Sequence, residues 1–257
     1  MGRESGQAVV ESALILPLWL MVALGAIQLA LLQQARLVTE YGAYSAVRAG
    51  VVWSGNNERM RDAALLSVLP SHGAAASVEA LGKSYQRLRV EDRVVHDALA
   101  PAASAPVAFK QSGLLGLVRV KVLSPRGWPG EGEELDFDAP DTYPDEEGHR
   151  YRHFLSGQLD PDQESLRDAT VLTVQVRYLY ELKLPFANQL LFAAWQANTA
   201  APWNSGDPIP PEEREFLRVS AAGGGPLPGR RYFIPLRARW SQRMQSNFHR
   251  KWLEVEG

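Results

Sequence analysis

Cysteine is absent from this 257-residue chain. That excludes disulfide staples, thiolate metal sites and cysteine nucleophiles together, although it leaves the compartment open. An excess of charge is missing too. The 27 Lys and Arg stand against 29 Asp and Glu, so composition makes no general case for nucleic acid. No nucleophile elbow, phosphate loop or dinucleotide fingerprint occurs, and Gly223-Gly-Gly225 is followed by prolines rather than by a helix start. Nothing here argues for catalysis.

One feature stands out against these absences. Ala13–Leu32 is apolar except for Gln28, and about 20 such residues cross a bilayer core as a helix. A polar leader, Met1–Gly6, and the stretch Gln7-Ala-Val-Val-Glu11 precede it. Glu11 is out of place there. A carboxylate costs roughly 2–3 kcal/mol at mid-bilayer and less near the interface, so it calls for a partner. Arg3 and the α-amino group lie before the run, with Arg36 and Arg48 well after it. This asymmetry favours a cytoplasmic N-terminus with the bulk of the chain on the far side. A secretory signal cut near Ala23-Leu24-Gly25 competes, but the apolar run continues past that site to Leu32. A plain membrane anchor competes as well and leaves Glu11 without a role.

The helical pattern extends beyond the lipid-length run. Gly42, Ala46 and Gly50 share one face, and small residues at that spacing let another backbone approach closely. The spacing predicts one helix over about Ala8–Val52, interrupted at Pro17, whose ring removes the bond to the carbonyl of Ala13. Asn56 or Asn57 caps a second helix, Glu58–Leu69, stopped by Pro70. A third covers Ser77–Leu99, with Val78, Leu81, Tyr85 and Leu88 on one face.

The period then changes to two. Strands are expected from Leu117 to Pro125, within Asp168–Leu184, over Glu215–Ser220 and over Arg231–Trp240, where Tyr232, Ile234, Leu236 and Ala238 share a face. Phe186–Gln196 reads as a short amphipathic helix and Ala201–Pro211 as a loop. Trp240, Met244, Phe248 and Trp252 recur every four residues, which suggests a terminal helix beyond Trp240. Helices first and strands later give an α+β class, with a mostly antiparallel sheet against the N-terminal helix. The roughly 200 residues beyond the apolar helix are ample for a buried core.

Three clusters invite chemistry. Asp136, Asp138 and Asp141 lie in an acidic stretch, Glu131–Glu147, and are candidate calcium ligands. The full calcium-loop pattern is missing, and Pro140 and Pro144 favour a solvated loop. His149 and His153 have the spacing of a zinc pair on a helix, but neither a cysteine nor a third nearby histidine completes the set. Arg230–Lys251 is basic and interleaved with aromatics. A wet strand face, complementary to the acidic loop, explains it better than a nucleic-acid surface does.

The N-terminal wording Gly6-Gln-Ala-Val-Val-Glu-Ser-Ala-Leu-Ile-Leu-Pro17 resembles a class III, prepilin-type signal, and specifically that of the TadE/TadF group of minor pseudopilins from Tad (Flp-type) pili. Weaker matches follow in order at Ala46–Gly50, Val174–Tyr178 and Arg239–Asn247. The longer TadG-like relatives carry a metal-binding domain whose Asp-x-Ser-x-Ser motif is absent here. The resemblance implies a structural subunit rather than an enzyme, without a cofactor unless calcium binds. It implies a leader, residues 1–6, cut by prepilin peptidase between Gly6 and Gln7, with Gln7 open to methylation. Residues 7–53 become a transmembrane spine, and residues 54–257 an α+β domain on the periplasmic side of a bacterial inner membrane. The implied partners are other pilins of the fibre, an inner-membrane platform, its ATPase and the membrane itself. In this setting Pro17 and Glu11 serve assembly. The new α-amino group of Gln7 carries positive charge, and Glu11 of a neighbouring subunit can pair with it, mainly as a register device.

Overall fold

Helix α1 runs without a break from Glu4 to Val52, beginning earlier than Ala8 and continuing through Pro17. The computed structural model describes residues 4–73, 77–99, 116–125, 134–135, 137, 170–199 and 209–252. Two units emerge, one of Met1–Gln34 with Tyr180–Ile234, the other of Ala35–Leu179 with Pro235–Gly257.

In the second unit the small-residue face of α1 is the packing surface. Ala35, Thr39, Ala43, Ala46, Val47 and Val51 are buried at helical spacing. A methyl group on Gly50 would sit 2.5 Å from Leu172 Cδ2 and 2.6 Å from Met60 Sδ, so only hydrogen fits there. Helix α2, Asn57–Val68, starts at the Asn56 cap, whose Oδ1 accepts from the N–H groups of Glu58 and Arg59. It buries Met60, Ala64, Leu65 and Val68, then tightens into a 3-10 turn over Leu69–Ser71 at Pro70. Helix α3, Val78–Leu99, buries Leu88 and Val95 but leaves Val78 and Leu81 exposed, so its expected apolar face is covered only toward its C-terminal end.

An ion pair ties α2 to α3. Arg61 Nη2 lies 2.5 Å from Asp92 Oδ2, and Asp92 also accepts from the Val118 N–H. Burial pushes the Asp92 carboxyl above the ordinary carboxylate range, against the opposing pull of Arg61 and of backbone N–H groups. Arg61→Ala is therefore expected to cost roughly 2–3 kcal/mol at neutral pH, discounted for the partial exposure of Arg61. The sign follows from linkage. A folded-state pKa above the unfolded value means that protonation favours the folded chain, so the penalty shrinks as pH falls toward 3.8. Urea unfolding of parent and variant at neutral and mildly acidic pH checks both; a penalty that grows on acidification would contradict the argument.

The sheet order is β1-β3-β4. Strands β1 (Val118–Ser124) and β3 (Val171–Glu181) pair antiparallel, Val120 opposite Val176, with a register shift between Val122 and Ser124. Their alternation is as expected, with Val118, Val120, Val122, Leu172, Val174, Val176 and Tyr178 buried. Strand β2 (Glu134–Leu135) pairs with β5 (Phe248–His249).

Strand β4, Phe233–Arg243, runs past Trp240, where a terminal helix was expected. Tertiary contact decides against the helix. Met244 and Phe248 are buried, and the segment clasps the end of α1. Ser246 Oγ donates to the Val51 carbonyl at 2.8 Å and accepts from the Ser54 N–H at 3.0 Å. Gln245 N–H donates to Val51 O, His249 N–H to Ser54 O, and Asn57 Nδ2 to Trp252 O. A helix end leaves carbonyls without intrahelical partners, and this segment supplies donors to them. The ring of Phe248 lies where a side chain on Gly55 would begin, and Gly55 has φ +75°. In the described part of the acidic stretch, Glu134 accepts from Asn247 Nδ2 at 3.2 Å and lies 3.4 Å from His249 Nδ1.

In the first unit, α4 covers Ala187–Thr199 and α5 covers Pro211–Ala222. Helix α5 replaces the strand expected at Glu215–Ser220. Pro211 occupies its first turn, Gly223 closes it at φ +88°, and Glu213, Phe216, Leu217 and Ser220 are buried at spacings of three, four and seven. Phe216 packs against Phe233, so Phe233 is buried beside Ile234, against the alternation expected of that strand. Phe192 of α4 meets Tyr232 at 5.4 Å, and Arg231 reaches Glu181.

Candidate functional site

The candidate site is the N-terminal half of α1. Gly6 and Gln7 lie in its first turns, and Gln7 and Glu11 are four residues apart, on one helix face. Glu11 is exposed, with no hydrogen bond or ion pair among the described residues. Pro17 lies farther along on the same exposed stretch, which runs from residue 10 to residue 23. Large apolar side chains fill it, with Leu14 73% exposed and Trp19 69%. A soluble helix hides such a surface. Here no described residue covers it, and α1 is long and apolar enough to cross a membrane.

Cover begins at Leu24 and Gly25, and the first fully buried residue is Gln28. Its Oε1 accepts the Leu184 N–H at 2.9 Å, fixing the chain just after β3 to this point of the helix. Tyr180 lies close by, its phenol pushed above the ordinary value chiefly by burial, with the Gln28 amide opposing. Sequence reading treated Gln28 as the one polar exception in the apolar run. Its polarity was the signal, but the partner lies 156 positions away.

The structure thus places Gly6, Gln7, Glu11 and Pro17 on one helix, and Glu11 beside an uncovered apolar surface. The candidate calcium ligands Asp136, Asp138 and Asp141 lie outside the described residues, as do His149 and His153. Of the described residues beside them in sequence, Glu134 accepts from Asn247 Nδ2 and the Phe137 backbone N–H donates to Asn247 Oδ1.

Residues 6–48 match the family model described as TadE-like protein. No curated protein and no solved structure matches the chain. The match opens at Gly6, takes in Glu11 and the whole exposed apolar stretch, and closes on the small-residue face that packs against α2. Over residues 6–48, then, the N-terminal helix of this chain is similar to TadE-like proteins.

Proposed function

We propose that the chain is a minor pseudopilin, a non-catalytic structural subunit of a Tad-type pilus or of a related secretion or adhesion apparatus. The observation that carries this is Glu11: an exposed carboxylate without a partner among the described residues, five residues past Gly6, on a helix whose apolar surface is bare. An anchor gains nothing from a charge there. A subunit that bundles with others gains a register, because a neighbour's α-amino group at Gln7 neutralises it where both would otherwise be costly. Prepilin peptidase cuts after Gly6, the inner-membrane platform and its ATPase load the mature chain, and the α+β domain is displayed on the far side of the membrane.

Intact mass of the native protein tests this. A mature chain starting at Gln7 is the expected result, and Gly6→Ala should leave the precursor uncut. A native chain that retains Met1 supports a membrane-tethered module that does not polymerise. One that starts near Ala26 supports a secreted product, and either outcome ends the pseudopilin reading.

A further inference from the structure

Helix α4 contains no charged residue over Ala187–Thr199. Its inward side buries Ala187 and Phe192. Its outward side exposes Leu190 (56%), Ala193, Ala194 and Ala197, and Phe186 (63%) continues that side before the first turn. These positions recur at helical spacing and form an apolar stripe, bordered by the exposed Gln189, Gln196 and Asn198. The next helix of the same unit behaves in the ordinary way, since α5 exposes Arg214, Glu215 and Arg218.

Depth along α1 gives that face a setting. Gln28 holds the Leu184 N–H, two residues before Phe186. From Gly6 to Gln28 is 22 residues, about 33 Å of helix, against a hydrocarbon core of about 30 Å. The lipid-length run Ala13–Leu32 ends one turn beyond Gln28, so α4 begins near that boundary. The turn into α4 adds an independent sign. Phe186 has φ +65°, and the Ala187 N–H donates to the Pro185 carbonyl at 2.8 Å, a strained γ-turn centred on a bulky residue. Phe186 stands largely exposed at this turn.

We propose that α4 is an interfacial helix that lays Phe186, Leu190 and the alanines after them into the lipid leaflet on the domain side. The occupant of its apolar face is the bilayer, continuous with the lipid around α1. This rests on the reading of α1 as membrane-spanning, and the test separates the two.

Because the chain has no cysteine, single nitroxide labels can be placed at Leu190→Cys, Leu16→Cys and the water-facing Glu79→Cys, with Ala194→Cys as a second site on α4. The full chain is reconstituted in vesicles of phosphatidylethanolamine and phosphatidylglycerol, and collisions with oxygen and with a water-soluble nickel chelate are compared. The expected oxygen-to-nickel ratio at positions 190 and 194 is several-fold above that at 79 and close to that at 16. Water-like labels at 190 and 194 with a lipid-like label at 16 would overturn the interfacial helix alone. A water-like label at 16 would overturn the spanning reading and the interfacial helix with it. Spin–spin broadening at 190 that disappears on dilution with unlabelled chain would assign the face to a second copy and overturn the lipid proposal.

Discussion

Glu11→Ala is expected to give a subunit that is cut and membrane-inserted normally yet is missing from purified fibres. The variant leaves the neighbour's α-amino group without its counter-charge in a low-dielectric bundle. Losing one partner of such a pair costs roughly 3 kcal/mol, about a hundredfold in an incorporation equilibrium. Glu11→Gln keeps the shape and hydrogen-bonding capacity and removes only the charge, so it separates charge from packing and should fail as well. The readout is the ratio of mature subunit in sheared fibres to that left in membranes. Full incorporation of either variant would remove Glu11 from the assembly mechanism. Among the described residues the carboxylate has no other partner and stands exposed at the start of an apolar stretch.

Gly55→Val is expected to carry the largest stability loss in the domain. The position has φ +75°, which costs a β-branched residue about 1–2 kcal/mol. The new side chain also begins inside the ring of Phe248, and overpacking adds about 1–3 kcal/mol. A total of about 3 kcal/mol should appear in denaturant unfolding of the full chain in detergent, with faster amide exchange at Ser54 and His249. Phe248→Ala removes the obstacle, so the double variant should lose clearly less than the sum of the single changes. Strict additivity would mean that the two residues do not share the space the structure gives them.

Much of this was legible in the residues, and the exceptions have physical causes. Helix α1 and strands β1 and β3 carry strong periodicity, 3.6 in one case and two in the others, and burial followed it closely. The small face at Gly42, Ala46 and Gly50 also met the close neighbours that its spacing implies. Helix α5 was missed because Glu215–Ser220 is too short a window for a 3.6-residue period to show. Its helix signals lie outside that window, at Pro211 and Gly223. The fourfold recurrence of Trp240, Met244, Phe248 and Trp252 misled for the opposite reason. Met244 and Phe248 are apolar because they cover the end of α1, not because they share a helix face. At the candidate site, Gly6, Glu11 and Pro17 were readable from local wording. The anchoring of Gln28 was not, since no local pattern announces a backbone partner on a distant strand end.

The clasp on α1 also has a consequence for the order of events during synthesis. Ser246 and Val51 are 195 positions apart, so the helix end is made long before the residues that hold it. The apolar half of α1 is therefore available to the membrane while its far end is still unsecured, and long-range contacts of this kind close late. A chain cut short anywhere before Met244 would still insert, but it would present a spine with a frayed root. Only a chain translated through Trp252 secures the far end of α1, so the clasp reports within its own unit that translation has reached the last segment that unit needs.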